Sequence, residues 1–351
     1  MRIAITGASG LIGGNVAIAS LDRGHDVVAL AREGSNIEAL ETAGVAIQRA
    51  DICNEGHQLC AAFAGTDIVI HTAATFSYHH SVAHLRQTAV DGTANVLSAA
   101  AEAGVRRVVL TSSSVVFGFS ETPHVVDDTG PIVKSNEDPA YVAAKVAQDC
   151  LALGLAEKLG VELVIACPTI TVGRTSSALG PSNSLILAYL ADVTRSTYAG
   201  GCNIVSAADV GRGHVILAER GSPNQHYLLG SENVSWAELH SEIGRLTGVG
   251  GPNMELSSSL ARAAAYVEEV RAKLECRPPL STRAQASMLG RYYWYDDSRA
   301  RALGYEPMSA AKALLEAVSW LIASSHVSRE LRTQIRLAAD VQRYRFKGLA
   351  A

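Results

Sequence analysis

The sequence lacks the features that mark a membrane, secreted or nucleic-acid-binding protein. No uninterrupted apolar run approaches the roughly 20 residues that a membrane helix needs. Gly7, Gly10 and Gly13 interrupt the apolar N-terminus where a signal peptide would have its core. The net charge is −4 and no basic stripe stands out, which argues against a nucleic-acid partner. We therefore expect a cytoplasmic protein that binds neither membranes nor nucleic acids.

Cysteine pairs are missing as well. The six cysteines are scattered along the chain and none belongs to a C-x-x-C pair. Such spacing predicts neither a disulfide framework nor a zinc site. We expect free, mostly buried thiols in a reducing compartment, at Cys53, Cys60, Cys150, Cys167, Cys202 and Cys276.

Short β-branched runs alternate with helical periodicity through the first half of the chain. Continuous apolar strands separated by helices predict a parallel sheet covered on both faces, and right-handed crossovers make it doubly wound. We therefore predict an α/β Rossmann fold. The expected strands are RIAIT (2–6), DVVAL (26–30), VAIQ (45–48), DIVIHT (67–72), RVVLTSS (107–113) and ELVIACP (162–168), with helices near residues 10–22, 54–64, 81–103 and 139–159.

The second half of the chain is a mosaic of loops, short strands and helices. We predict a first lobe over residues 1–168 and a smaller mixed substrate lobe over 169–325, with re-entry into the first lobe near 203–220. A helical extension is expected over 326–351, where Ser328 to Lys347 reads as one helix. Its apolar stripe should pack on the protein's own core or on a partner subunit, through Leu331, Ile335, Ala338 and Val341.

The segment TGASGLIG (6–13) joins the first strand to the first helix. Gly7 permits a tight turn, Gly10 lets the backbone approach a pyrophosphate, and Gly13 allows close packing of helix and strand. The helix N-terminus would then present free N–H groups to the phosphates. This context predicts a dinucleotide site that also includes Ser9, Leu11 and Ile12.

The second strand ends at Leu30, Ala31 and Arg32. An NAD site usually has an acidic residue at this position, which binds the ribose hydroxyls. Here the small Ala31 leaves room, and the Arg32 guanidinium can bind a 2′-phosphate. The cofactor prediction is therefore NADP, with NAD less favoured. A solvated charge at the helix entry is the other interpretation of Arg32.

The stretch DPAYVAAKVAQD (138–149) places Tyr141 and Lys145 four residues apart in an alanine-rich segment. On a helix this spacing puts both side chains on one face. A phenol beside an ammonium can transfer protons, although the pair alone is too common to prove it.

These motifs follow one another in a fixed order. TGASGLIG is followed by Asp51-Ile52, HTAA (71–74), TSSSVVFG (111–118), AYVAAK (140–145) and CPTITVG (167–173). The order resembles the extended short-chain dehydrogenase/reductases, and within them the dihydroflavonol-reductase-like and 3β-hydroxysteroid-dehydrogenase-like members. The segment YYWYDDSRARALGYEP (292–307) extends the resemblance to nearly the whole chain.

The resemblance implies roles for particular residues. Ser113, Tyr141 and Lys145 would be catalytic. The other cofactor-binding positions would be Asp51 and Ile52 at the adenine, Thr72, Ala73 and Ala74 beside the cofactor, and Pro168 at the nicotinamide carboxamide. It also implies a homodimer formed through the helices that match 81–103 and 139–159.

The residue types alone also explain how a carbonyl could be reduced here, without the family resemblance. A carbonyl that accepts hydride needs a proton on its oxygen, and the cofactor carries the hydride. We expect the Lys145 ammonium and the positive nicotinamide to draw the pKa of Tyr141 toward neutrality. Ser113 would donate a hydrogen bond to the carbonyl oxygen, although a serine that only caps a strand end is the other interpretation.

Several positions depart from the family pattern. Ala89 replaces the usual asparagine, and Val115 and Val116 stand where sugar-nucleotide dehydratases carry an Asp-Glu pair. The diphosphate grip of a UDP-sugar enzyme is not evident. It stays open because three arginines lie in the second half, Arg174, Arg195 and Arg212.

The substrate is the least readable part of the sequence. Phe76, Tyr78 and Ser114 are candidate substrate contacts. His80 and His84 have metal-chelating helical spacing, but no carboxylate or cysteine completes a set, so we predict no metal. The aromatic run YYWY (292–295) could line a pocket, although packing of the smaller lobe is favoured.

These observations predict an NADPH-dependent reductase that acts on a ketone or aldehyde of a small, fairly apolar molecule. The alternative is a nucleotide-sugar epimerase that uses tightly bound NAD. A non-catalytic dinucleotide sensor is more remote, because the tyrosine and the lysine are both present.

Overall fold

A computed structural model of the chain describes residues 1–53, 57–74, 82–130, 132, 140–174, 179–277, 279 and 281–348. Its largest element is a seven-stranded sheet in which every pair of neighbours is parallel, as the apolar runs predicted. The order is β10-β6-β5-β4-β1-β2-β3, with strands numbered along the whole chain. Their bounds are β1 (Arg2–Thr6), β2 (Asp26–Ala31), β3 (Ala46–Arg49), β4 (Ile68–His71), β5 (Arg107–Thr111), β6 (Glu162–Pro168) and β10 (Gln225–Leu229).

Helices cover both faces of this sheet, so its strands are apolar on both sides. In β1, Ala4 faces one core while Ile3 and Ile5 face the other. The helices are α1 (Leu11–Asp22), α2 (Glu38–Thr42), α3 (His57–Phe63), α4 (Val82–Arg86), α5 (Gly92–Glu102), α6 (Ala140–Leu159) and α8 (Ala207–Arg220). A π-helical turn (Gln87–Asp91) joins α4 to α5, and a short 3₁₀ helix (Ser114–Phe117) follows β5.

A smaller lobe has a third core of its own. Its strands are β7 (Ile170–Val172), β8 (Ser196–Tyr198), β9 (Gly201–Ser206), β11 (Glu232–Ser235), β12 (Met254–Leu256) and β13 (Tyr292–Tyr293). Its helices are α7 (Pro181–Ala191), α9 (Trp236–Thr247), α10 (Ser258–Leu274), α11 (Arg283–Ala286), α13 (Ala310–Ala323), α14 (Arg329–Gln334) and α15 (Ala339–Gly348). The short helix α12 (Ser298–Ala302) lies against β10 of the large sheet instead, and its Ala300 is buried in the same core as Ile3 and Ile5. The lobe boundaries predicted from the sequence stay predictions, although β10 shows that the large sheet recruits a strand from well beyond residue 168.

The C-terminal segment is two helices rather than the single one expected. Between α14 and α15 the backbone is extended, and the Arg336 N–H donates to the Thr247 carbonyl at 2.7 Å. The Ala338 N–H donates to the Leu246 carbonyl at 3.0 Å. These bonds satisfy the last carbonyl groups of α9, which explains the break. The stripe does pack on the third core, where Leu331, Ile335 and Val341 are buried.

The cysteine prediction was partly wrong. All six thiols are free, but only Cys167 and Cys202 are buried, while Cys53, Cys150 and Cys276 are exposed. The exposed thiols lie on loops and helix surfaces, which composition alone does not locate. No helix in the described part of the chain is long and apolar enough to cross a membrane.

The contact between α1 and α8 generates a stability prediction. A Cβ atom at Gly211 would lie 2.5 Å from the Asn15 carbonyl oxygen, whereas a Cβ at Gly154 on α6 meets nothing within 4 Å. Gly211→Ala should therefore lower the free energy of unfolding by about 1 to 3 kcal/mol through overpacking. Gly154→Ala, the matched control, should raise it by about 0.5 to 1 kcal/mol through helix propensity. Chemical denaturation followed by circular dichroism measures both; equal stabilities would contradict the close packing.

Candidate active site

The glycine-rich turn after β1 is built for close approach. Gly7 has φ +72°, and a Cβ there would lie 2.6 Å from the backbone of Ala73. A Cβ at Gly13 would lie 2.3 Å from the Gly7 carbonyl oxygen. Only glycine fits at either position. Gly10, in contrast, would place a Cβ near just one atom, the Gly7 oxygen at 3.2 Å, so its backbone faces open space.

The N-terminus of α1 is open to an anion. Gly10 is its cap residue and supplies no side-chain cap, and the first turn carries no acidic residue. The first N–H groups and the positive end of the helix dipole are thus free of an internal anion. The turn and the helix end together fit the pyrophosphate of a dinucleotide.

The adenosine end of this site lies at the ends of β2 and β3. Arg32 is exposed, and its carbonyl oxygen accepts a hydrogen bond of 2.7 Å from Nη1 of Arg49. Burial and then the Asp51 carboxylate raise the pKa of Cys53, while the positive charge of Arg32 lowers it. Ile52 is buried, and its carbonyl accepts from Asn95 at 2.9 Å.

One cavity of about 810 Å³ runs from the glycine-rich turn into the smaller lobe. It lies at the carboxyl ends of β1, β4, β5 and β6, where the strand order reverses and doubly wound sheets bind their ligands. Five predicted positions do not line it, namely Ser9, Arg32, Asp51, Ile52 and Ala73. Those that do are Gly7, Gly10, Leu11, Ile12, Gly13, Thr72, Ala74, Ser113, Ser114, Tyr141, Lys145 and Pro168.

The structure brings together the three residues predicted to be catalytic. Ser113 follows β5 and caps the 3₁₀ helix, while Tyr141 and Lys145 lie in the first turns of α6. Tyr141 and Ser113 share a side-chain hydrogen bond. All three are at least nine-tenths buried and line the cavity.

Lys145 is held by two acceptors. Its Nζ donates to the Thr111 carbonyl at 2.9 Å and to Oε1 of Gln148 at 2.8 Å. Burial lowers the pKa of Lys145 to about 8, against the opposing pull of Asp149. The ammonium therefore has protein partners even though it lies in the interior.

In the protein on its own the pKa of Tyr141 moves away from neutrality, whereas the expected shift toward neutrality also relied on the positive charge of nicotinamide. Burial raises the pKa of Tyr141 to about 12, and the Ser113 hydrogen bond only partly opposes this rise. Desolvation disfavours the phenolate, and the nearby Asp149 disfavours it further. At neutral pH Tyr141 is therefore a phenol with a proton to give.

Comparison with known proteins places this site in a family. The model of the NAD dependent epimerase/dehydratase family matches residues 3–230, well over half of the chain. The chain belongs to this family. It is accordingly an NAD(P)-dependent oxidoreductase of the extended short-chain dehydrogenase/reductase superfamily, as the order of its motifs predicted.

The similarity to individual proteins covers most of the chain. Cinnamoyl-CoA reductase 1 of Oryza sativa subsp. japonica is 34% identical over 251 residues, which are 68% of this chain and 73% of that protein. The 4-hydroxy-2-methyl-3-oxo-4-farnesyl-3,4-dihydroquinoline-1-oxide ketoreductase of Stigmatella aurantiaca is 29% identical over 324 residues, 87% and 92% of the two chains. The crystal structure of gox2253 superposes with a TM-score of 0.81 at 27% identity, covering 93% of this chain and 99% of that one.

Two further residues of this epimerase/dehydratase-family site were missed by sequence reasoning. Asp149 is fully buried, and its Oδ2 accepts from Ser112 at 2.7 Å and lies 3.2 Å from Nε2 of His226. Gln148 binds Lys145 directly. Gln148 and Asp149 follow Lys145 by three and four residues, so they lie on the same face of α6. This spacing is the sequence feature from which both could have been predicted.

Aromatic side chains line the part of the cavity in the smaller lobe. The rings of Tyr189 and His240 stack, with centroids 4.5 Å apart and planes 4° from parallel. In YYWY, strand alternation sends Tyr293 and Tyr295 to the cavity wall while Tyr292 packs edge-on against Trp294. Two tyrosines of the run therefore line the cavity, while Trp294 packs on Tyr292 and donates to the Val234 carbonyl of the smaller lobe. Tyr198, Trp236, Met288 and Leu289 complete this wall.

Other candidates are not part of the described cavity. Phe76, Tyr78 and His80 lie outside the described residues, and His84 is exposed on α4. Arg212 pairs with Asp209, and Nη1 of Arg195 donates to the Val249 carbonyl at 2.8 Å. Within the part of the chain that the structure describes, no group of three or more His, Cys, Asp and Glu side chains is arranged to hold a metal ion.

Proposed function

We propose that the protein is an NADPH-dependent reductase of a ketone or aldehyde on a small, fairly apolar molecule. The observation that carries this proposal is the convergence of Ser113, Tyr141 and Lys145 on one cavity beside an uncapped helix N-terminus. The reductase and ketoreductase names of two relatives agree with it.

The residues divide the reaction between them. The bound cofactor supplies hydride to the carbonyl carbon. Tyr141 gives its phenolic proton to the carbonyl oxygen, since burial keeps it protonated at neutral pH. Ser113 donates a hydrogen bond to the same oxygen as negative charge develops there. Lys145 stabilises the phenolate that Tyr141 leaves behind, because opposite charge nearby favours the ionised form.

The cavity wall supports an uncharged substrate. Among the described residues that line it, Lys145 is the single lysine or arginine. Two carboxylates also line it, Glu268 and Asp192. Glu268 is engaged by Arg277 at 2.7 Å, and Asp192 accepts hydrogen bonds from Thr194 and from the Ser196 N–H. A nucleotide sugar would bring a diphosphate with two negative charges, for which phosphate sites usually supply arginine or lysine. This favours a reductase over the alternative nucleotide-sugar epimerase.

The end of β2 supports NADP. The small Ala31 stands at the strand end where an NAD site usually has an acidic residue, and Arg32 follows it. The Arg49 guanidinium donates to the Arg32 carbonyl at 2.7 Å. Two guanidinium-bearing side chains thus belong to the adenosine end, which suits a 2′-phosphate. The homodimer implied by the resemblance belongs to this proposal as well.

Tyr141→Phe tests the proposed proton donor. The variant removes one oxygen atom and should lower kcat at least about 100-fold, since a positioned general acid contributes about 10²–10⁴-fold. The affinity for NADPH, measured by fluorescence titration, should stay within about twofold. Tyr266→Phe, on the exposed face of α10, is the matched control and should turn over at the rate of the unchanged protein. A Tyr141→Phe variant with full activity would contradict the assignment.

The double variant Ala31→Asp/Arg32→Asn tests the cofactor assignment. It replaces the proposed 2′-phosphate contact with a carboxylate for ribose hydroxyls, so the ratio of kcat/KM for NADPH to that for NADH should fall at least about tenfold. Steady-state rates with each cofactor measure this ratio. Arg23→Asn, which removes a surface arginine at the other end of α1, serves as control. An unchanged ratio would rule out Arg32 as the discriminating residue.

A further inference from the structure

A chain of buried hydrogen bonds runs from Lys145 to the cofactor turn. Gln148 accepts from Lys145 through Oε1 and donates from Nε2 to Oγ1 of Thr93 at 2.8 Å. Thr93 Oγ1 lies 3.1 Å from Nε2 of His71, and His71 Nδ1 lies 2.7 Å from Oγ1 of Thr6. Thr6 in turn accepts from the Ala73 N–H at 3.3 Å. The side chains of the chain are at most 3% exposed.

This chain determines which way the Gln148 amide points. The Lys145 ammonium has only donors, so the acceptor Oε1 must face it, and Nε2 is then left to donate to Oγ1 of Thr93. The reversed amide would place two donors against each other. The Gln148 side chain, which binds Lys145, thus has a single allowed orientation.

The hydrogen-bond donors of the Lys145 ammonium can be counted. An ammonium has three N–H groups. The Thr111 carbonyl and Gln148 take two of them, at 2.9 Å and 2.8 Å. One N–H remains, and Lys145 lines the cavity. Two fixed acceptors therefore leave the third donor for the reacting side.

We propose that Gln148 is a positioning residue for the reaction: it holds Lys145 protonated and directs its remaining N–H toward the Tyr141 side of the cavity. The inference rests on the proposed reductase function. Thr93, His71 and Thr6 support it by fixing the amide. Gln148 is not among the described residues that line the cavity and it binds Lys145 directly, so it acts through Lys145.

The charges around Lys145 make this role testable by pH. Asp149 on α6 favours the ammonium, and the Cys167 thiol on β6 faces it too. His71 on β4 has its pKa lowered to about 3, by burial and then by Lys145, so it is neutral and adds no positive charge. Burial already brings the pKa of Lys145 to about 8. Loss of the Gln148 acceptor should lower the pKa of Lys145 further. The loss of activity at alkaline pH should then begin at a lower pH, within the range in which the reaction can be assayed.

The experiment is a pH profile of kcat/KM for carbonyl reduction in two variants. Gln148→Leu keeps the volume and removes the acceptor, so activity should be lost about one pH unit lower than in the unchanged protein. Gln148→Glu keeps an acceptor and adds a negative charge, so the loss should move to higher pH. Thr93→Val, which removes the acceptor of the Gln148 Nε2 group and so holds the amide less firmly, should shift the profile as Gln148→Leu does but by less. Gln58→Leu, an exposed glutamine on α3, is the control.

A second measurement does not depend on the substrate. The affinity for NADPH can be measured by fluorescence titration at a series of pH values. Its decrease at alkaline pH should occur at a lower pH in Gln148→Leu than in the unchanged protein. If this shift occurs while no carbonyl is reduced by any of these proteins, the proposed function fails and the role of Gln148 stands.

Two outcomes would overturn the inference. A folded Gln148→Leu with unshifted midpoints, or one that loses the same fraction of activity at every pH, would show a merely structural role. If Gln148→Leu does not fold, Gln148→Glu decides the matter, because an unshifted profile in that variant contradicts the proposal and an upward shift supports it.

Discussion

The hydrogen bond from the Lys145 ammonium to the Thr111 carbonyl joins the two halves of the site. Thr111 is the last residue of β5, and Lys145 lies one turn into the helix that precedes β6. A hydrogen bond to a charged group contributes about 1.5 to 3 kcal/mol. It brings the first turn of α6 against the end of β5, where Ser113 also lies. Tyr141, in the same first turn, shares a side-chain hydrogen bond with Ser113 there.

Burial rather than charge sets the resting state of the site. Desolvation raises the pKa of Tyr141 and lowers that of Lys145, so both shifts move the pair toward its neutral forms. Asp149 raises the pKa of both groups and thus partly restores the ammonium while it further protects the phenol. A site in this state is prepared to give a proton, which agrees with reduction as the proposed direction.

The fold was readable from the sequence because its strands are continuous apolar runs. RIAIT and ELVIACP coincide with β1 and β6, and the other four predicted strands agree within one or two residues. The seventh strand, Gln225–Leu229, was missed because it lies far from its neighbour β6 in sequence. The helix predicted over Ser328–Lys347 failed because tertiary hydrogen bonds from Arg336 and Ala338 to α9 override its local periodicity.

The site was readable to the extent that it is local in sequence. The glycine turn and the Tyr141–Lys145 spacing each lie within one short segment. The pKa direction of Tyr141 depends on how completely three elements enclose it, which no local pattern records. The aromatic wall likewise draws together Tyr189, His240 and Tyr293, each of which lies more than 50 residues from the next in sequence.

The central claim is that the cavity reduces carbonyls with net consumption of cofactor. The direct test is a panel of apolar ketones and aldehydes, with nucleotide sugars in parallel, in which NADPH absorbance and product are both followed. We expect NADPH to disappear in proportion to the alcohol formed from an uncharged carbonyl. Conversion of a nucleotide sugar to its epimer, with no net loss of cofactor and no carbonyl reduced, would contradict it.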